Sequence, residues 1–178
     1  MDVGDLLNAE LLDGREISIR PISTSDGDAL VRFHQGLSDG TTRLRFFVLH
    51  PELASTEVVY FTHVDHHDRE ALLALAGDDI VGVGRYDRMP RTSDAEVAFV
   101  VADGWQGSGI GTVLLKQLAR RATAEGVTRF LADALAENHR MRGVFRDSGL
   151  LVRSETRCGV DHFLLDLALE PAPLASRI

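Results

Sequence analysis

Hydrophobic and polar residues change rhythm several times along the chain, and each change predicts an element. After the turn signal Asp13-Gly14, residues 16–20 (Glu-Ile-Ser-Ile-Arg) alternate with period two, the mark of a half-buried strand. Ser23, Thr24 and Ser25 offer N-caps for a helix that puts Ala29, Leu30, Phe33 and Leu37 on one face. Short helices are expected over 38–47 and, opened by Pro51, through Val58, Val59 and Phe61. The rhythm then turns β-like. Residues 71–76 are apolar, Gly77-Asp78-Asp79 turns, residues 80–86 answer as a hairpin partner, and 95–101 (Ala-Glu-Val-Ala-Phe-Val-Val) follows after a second turn. Short connections make these three strands antiparallel neighbours.

A helix over 112–124 carries Leu114, Leu115, Leu118 and Ala122 on one side and stops at Gly126. A strand over 127–135 follows. Strand, helix, strand is a βαβ unit, so 95–101 and 127–135 should run parallel. A helix over 138–148 buries Met141, Val144 and Phe145 and stops at Gly149, and segments 150–156 and 160–169 close the chain as a hairpin. The fold class is α/β (α+β): a mixed, mostly antiparallel sheet with one central parallel pair and helices on both faces. Residues 14–170 form a single domain, preceded by a weakly structured extension (1–13) and followed by a tail (171–178).

Composition narrows the function. The 178 residues are 44% hydrophobic, enough for a core, and the net charge of −8 argues against binding nucleic acid or an anionic membrane. Cys158 is the only cysteine, so an internal disulfide and a thiolate metal cage are both excluded; its neighbours Arg157 and Gly159 supply no base. No apolar run approaches the roughly 20 residues of a membrane span. The acidic N-terminus lacks a signal peptide's basic start, so a cytoplasmic protein is expected.

The stretch Gln106-Gly107-Ser108-Gly109-Ile110-Gly111 sits between the strand at 95–101 and an apolar helix. A helix start has amide groups without partners and a dipole that favours an anion, and glycines let phosphates approach the backbone. A P-loop would need a Lys that is missing here, and the dinucleotide fingerprint would need Gly where Thr112 stands. The pattern Q/R-x-x-G-x-G/A fits fully. It resembles the pyrophosphate loop of the GNAT acyl-CoA N-acyltransferases. Asn138 with Phe145-Arg146-Asp147-Ser148-Gly149-Leu150 is similar to the same family's later helix, and the likeness runs roughly from Ile17 to Leu169.

The resemblance implies a V-shaped split between the two parallel strands, with acetyl-CoA as co-substrate and no metal. Amides from Gly107 to Thr112, including those of Ser108, Gly109, Ile110 and Gly111, would hold the pyrophosphate. Backbone groups of Phe99, Val100 and Val101 would pair with the pantetheine arm, with the thioester carbonyl near a Val100 or Val101 N–H. Asn138 would touch the pantetheine side, and Phe145 stands where many members have a proton-donating Tyr. Asp103 replaces a frequent Pro. The segments 16–22, 44–47, 61–65 and 95–101 resemble the branch of Pat-type bacterial protein lysine acetyltransferases, which acetylate acyl-CoA synthetases and related proteins, and Phe46 and Phe47 would then line the acceptor side.

Acetylation needs a neutral amine, and roughly one free lysine in a thousand is neutral at physiological pH. Glu96, in the apolar setting Ala95-Glu96-Val97-Ala98-Phe99, is the candidate base, and burial there would raise its pKa. On spacing alone it is equally a glutamate on a solvent-facing strand. With Phe145 unable to donate, thiolate leaves unaided, or Ser148 or a water serves as acid. The run His63-Val64-Asp65-His66-His67-Asp68 is read as a polar loop rather than a metal site. Arg43, Arg45, Arg140 and Arg142 are solvated helix faces or phosphate contacts, and Arg120 and Arg121 suit the late turns of their helix. Two rival readings stand beside the lysine acetyltransferase: a small-amine acetyltransferase, and a non-catalytic CoA-binding sensor with no need of Glu96.

Overall fold

The computed structural model describes residues 6–48 and 52–167. Eight strands form one sheet in the order β1-β2-β3-β4-β5-β6-β8-β7. They are β1 (Leu7–Glu10), β2 (Glu16–Pro21), β3 (Arg69–Ala76), β4 (Asp79–Arg88), β5 (Asp94–Val101), β6 (Arg129–Leu135), β7 (Leu151–Arg157) and β8 (Val160–Asp166). Every neighbouring pair is antiparallel except β5 with β6. The expected mixed sheet and its single parallel pair are therefore present.

Five helices cover the faces: α1 (Gly27–Gln35), α2 (Asp39–Phe46), α3 (Ser55–Thr62), α4 (Ile110–Ala124) and α5 (His139–Arg146). One apolar cluster lies under α4, where Leu114, Leu115 and Leu118 pack on Val97, Phe99 and Phe130. A second lies on the other face, where Leu30 and Phe33 of α1 meet Leu73 and Ile80. The period-two pattern of β5 divides the two: Ala95, Val97 and Phe99 are buried under α4, and Glu96, Ala98 and Val100 face the side of α1 to α3.

Two of the boundaries that differ from expectation do so for identifiable reasons. The stretch taken as weakly structured contains β1, an edge strand paired only with β2, and Leu11 behind it is buried. Its Leu-Asn-Ala-Glu is mostly exposed, so no alternation betrays it. The strand after α4 starts at Arg129 rather than 127 because Val127 is held in the helix stop. The Val127 N–H donates to Ala122 O (2.8 Å) and the Gly126 N–H to Thr123 O (3.0 Å), with Gly126 at φ 80°, a Schellman closure. The proposed opening of α3 at Pro51 lies outside the described residues; its N-cap is Ala54, whose N–H donates to Glu57 Oε2 (2.8 Å). Residues 168–178, including the tail, also lie outside them.

Candidate active site

The parallel pair is joined only at its start, where Asp94, Ala95 and Glu96 face Arg129, Phe130 and Leu131. Beyond that no ladder connects the strands, although β5 remains paired with β4 and β6 with β8. The two facing edges part, and a cavity of about 610 Å³ opens between them. Around it stand Glu96, Phe99, Val100, Val101, Gln106, Gly107, Gly109, Ile110, Gly111, Thr112, Asn138 and Phe145. The proposed site residues thus converge on one space, with Ser108 set behind it.

The glycine loop connects β5 to α4 at the head of this cavity. Gly107 (φ 81°) and Gly109 (φ 99°) occupy left-handed backbone that a side chain would strain. Gly109 caps α4 and brings no side chain to satisfy the helix start. The first intrahelical bond runs from the Val113 N–H to Gly109 O (3.1 Å), so the amides of Ile110, Gly111 and Thr112 precede the ladder and suit an anion. Ser108 acts as a brace. Its hydroxyl donates to Trp105 O (2.6 Å), its carbonyl accepts the Leu12 N–H (3.1 Å), and its side chain is buried. Arg15 adds a second brace, stacking 3.8 Å over Trp105 and donating to Gly104 O (3.3 Å).

Gln106 is a hub. Its Nε2 donates to Val101 O and to Thr41 Oγ1 (3.0 Å each), and its Oε1 accepts from Arg140 Nη1 (2.7 Å). The Val101 carbonyl is therefore already engaged on the cavity side. Asp103 ties α2 to the same loop by accepting the Ser38 N–H (3.0 Å), the Ser38 hydroxyl (2.7 Å) and the Thr41 hydroxyl (2.7 Å). Burial pushes the Asp103 carboxyl up, but these donors outweigh it and hold the pKa below the ordinary range. Sequence reading missed this network because its partners lie 62 to 65 residues apart.

Two further arginines are engaged by carboxylates. Arg43 pairs with Glu137, and Arg142 with Asp161 (2.5 Å). Asn138 caps α5, its Oδ1 accepting the Met141 N–H (3.1 Å). Phe145 is buried against Phe163, with ring centroids 4.6 Å apart. Ser148 does not fit the suggested acid role. It is fully buried, donates to Phe145 O (2.6 Å) and accepts the Leu150 N–H (3.1 Å), so its hydroxyl terminates the helix.

Glu96 departs from expectation in one respect: it is exposed at the cavity, not buried. Its cross-strand neighbour on β4 is Asp87, which binds Arg85 (2.9 and 3.0 Å), Arg69 Nε (2.9 Å) and the Tyr60 hydroxyl (3.0 Å). Arg45 of α2 lies close by. Burial first, and then repulsion from Arg85, lower its pKa to about 10 against the opposing pull of Glu96 and Asp87.

The histidine run is a turn. Asp65 accepts the N–H groups of His67 (2.9 Å) and Arg69 (2.8 Å), and His66 bonds Glu70 (2.8 Å). Among the described residues no three His, Cys, Asp or Glu side chains form a metal-holding group, and no helix is long and apolar enough to cross a membrane.

A split parallel pair with an uncapped glycine-rich helix start is the arrangement that the resemblance to the GNAT acyltransferases implied. Residues 39–150 match the acetyltransferase (GNAT) family model, and the chain belongs to that family. It is 29% identical over 143 residues to an acetyltransferase of Pseudomonas aeruginosa, covering 78% of this chain and 77% of that one. Against the acetyltransferase Pat of Mycolicibacterium smegmatis it is 32% identical over 135 residues, covering 74% of this chain and 40% of that enzyme. Among solved structures, the GNAT domain of S. lividans Pat matches with a TM-score of 0.86 and 34% identity over 93% of this chain and 99% of that one. The chain spans about half of a cAMP-binding acyltransferase from Mycobacterium smegmatis, with a TM-score of 0.65 and 25% identity over 92% of this chain and 48% of that one.

Proposed function

We propose that the chain transfers an acetyl group from acetyl-CoA to a lysine amine of a protein such as an acyl-CoA synthetase, with Glu96 as general base. The observation that carries this reading is the convergence of the α4 amides, the open edge of β5 and Glu96 on one cavity. The cavity has the donors that acetyl-CoA needs. The amides of Ile110, Gly111 and Thr112 would take the pyrophosphate, and the edge at Phe99 and Val100 the pantetheine arm.

Glu96 accepts a proton from the lysine ammonium, directly or through one water. The neutral nitrogen then attacks the thioester carbonyl carbon. Negative charge collects on the carbonyl oxygen, beside a Val100 or Val101 N–H that stabilises it. The C–S bond breaks, the sulfur leaves as thiolate, the nitrogen gives its second proton to water in the open cavity, and the neutral amide remains on the lysine. Phe145 cannot donate a proton and Ser148 is committed elsewhere. A thiol pKa near 8.5 makes the thiolate a competent leaving group without an acid.

An exposed Glu96 at the cavity suits a lysine presented by a large partner. Likeness to the Pat domain supports the same acceptor class. The test follows thiol release from acetyl-CoA with an acyl-CoA synthetase in one arm and a panel of small amines in another. The expected result is release with the synthetase, acetyl-lysine by mass spectrometry, and a loss of about 10²-fold or more in Glu96→Gln. Release with small amines alone refutes the acceptor, and an active Glu96→Gln refutes the base.

A further inference from the structure

The charges beside Glu96 do not balance. Arg45 of α2 borders the large cavity together with Glu96. It is partly exposed, and its guanidinium stands 5.0 Å over the ring of Phe46. Among the described residues none accepts a hydrogen bond from that guanidinium or pairs with it as an ion. A second, smaller cavity of about 40 Å³ lies between the sheet and α1 to α3, and Arg45 and Arg85 are both on its wall. The described side chains that line it include no carboxylate. The Arg85 side chain is 9% exposed, and its Nη1 is buried with no acceptor in reach. The rest of its guanidinium binds Asp87, which Arg69 shares. Three guanidinium groups, of Arg45, Arg69 and Arg85, therefore meet two carboxylates, of Asp87 and Glu96. A cation drawn partly out of water without a counter-ion costs free energy, and an anion brought to it recovers some of that cost.

We propose that Arg45 is a carboxylate-binding subsite for the acceptor: the amine that Glu96 deprotonates belongs to a molecule carrying a carboxylate within reach of Arg45, and Arg85 adds positive charge beside it. The inference rests on the reading of Glu96 as the base. Arg45 borders the large cavity itself, so the carboxylate meets it there and has no need to enter the small one. The subsite also answers a need of the reaction. Ionised Glu96 attracts Arg45. Once Glu96 takes the ammonium proton that attraction vanishes, and a carboxylate arriving with the amine replaces the lost negative charge. A guanidinium can grip a carboxylate through two parallel N–H···O bonds, which fixes the direction in which the attached amine lies. Two sources carry this chemistry: an acidic residue beside the acceptor lysine in a protein chain, and the α-carboxylate of an amino acid.

The experiment measures acetyl transfer by the full chain to two pairs of acceptors. One pair is a short peptide with its single lysine flanked by Glu on both sides, and the same peptide with Gln in both places. The other pair is Nα-acetyl-lysine and its amide, in which the α-carboxylate is capped. In at least one pair the carboxylate-bearing member should show a kcat/KM about tenfold higher, mainly through KM. A gain in the peptides assigns an acidic flank, and a gain in the second pair assigns an α-carboxylate. Arg45→Gln should bring the ratio to about one, and Arg45→Lys, which keeps the charge but loses the fork, should keep part of it. Each ratio is taken within one protein, so a general loss of activity cancels. A ratio near one in both pairs for the natural protein overturns the subsite and leaves Glu96 as base untouched. A ratio that survives Arg45→Gln also overturns the subsite. Transfer undiminished in Glu96→Gln, or no transfer to any of the four acceptors, overturns the reading beneath this inference and the inference with it.

Discussion

Replacing Gly111 by alanine places a methyl group where α4 and α5 touch. A Cβ built there lies 2.9 Å from Val144 Cγ2 and 3.6 Å from its Cγ1. Carbon atoms prefer about 3.5–4.0 Å, so Val144 must retreat. It is β-branched and sits inside a helix, which leaves its χ1 little choice. Overpacking of this kind costs about 1–3 kcal/mol, and the better helix propensity of alanine returns up to about 1 kcal/mol. The net loss is about 1 kcal/mol, a fall of roughly 2–4 °C in Tm for a chain of this size. The decisive assay is a cycle of four proteins: the natural chain, Gly111→Ala, Val144→Ala and the double variant, each unfolded by urea. Val144→Ala should cost less in the Gly111→Ala background than alone, with a coupling above about 0.5 kcal/mol. Additive effects, or a Gly111→Ala protein more stable than its parent, would refute close helix packing as the reason for this glycine.

Three further outcomes follow from the geometry. Gly82→Ala puts a Cβ 2.8 Å from Ile110 Cγ2 and so displaces the first turn of α4; titration with acetyl-CoA should show weaker binding. Ser148→Ala strands two buried bonding partners and should cost about 1–3 kcal/mol in urea unfolding with kcat unchanged, whereas a large fall in kcat at full folding would restore it as the acid. The folded pKa of Asp103 lies below its ordinary value near 3.9, so its contribution is present above that value and is lost as pH falls through the lower folded one. Asp103→Asn should therefore sit below the natural protein in Tm at neutral pH, and the gap should narrow in acid; a constant gap down to pH 3 would count against it.

What the amino-acid pattern made legible follows from locality. The β5–α4–β6 unit was readable because its apolar periods and glycines lie within about ten residues of one another. Gly126 predicted a helix stop, and the stop is a Schellman closure around it. Glu96 was identifiable by type and place, but its exposure was not: its apolar sequence neighbours Ala95 and Val97 point to the opposite face, so they say nothing about its own surroundings. The pairs Arg43 with Glu137 and Gln106 with Arg140 and Thr41 depend on the chain returning across the split, at separations of 34 to 94 residues. Ser148 and Asn138 look chemically capable in sequence, and only the local backbone reveals that caps consume their oxygens.

The eight residues of β5 divide their labour by atom rather than by position. Odd-numbered side chains anchor the strand under α4, Ala98 and Val100 line the small cavity on the opposite face while Glu96 stands at the large one, and the main-chain edge beyond Glu96 lies along the split. A grip made of main-chain atoms is blind to side-chain identity. Residues 96, 98 and 100 can therefore be exchanged while the main-chain edge along the split keeps its hydrogen-bonding groups. That independence makes the strand a natural place to begin redesign, because a library restricted to three alternate positions changes the lining of the cavities and leaves the main-chain edge as it is.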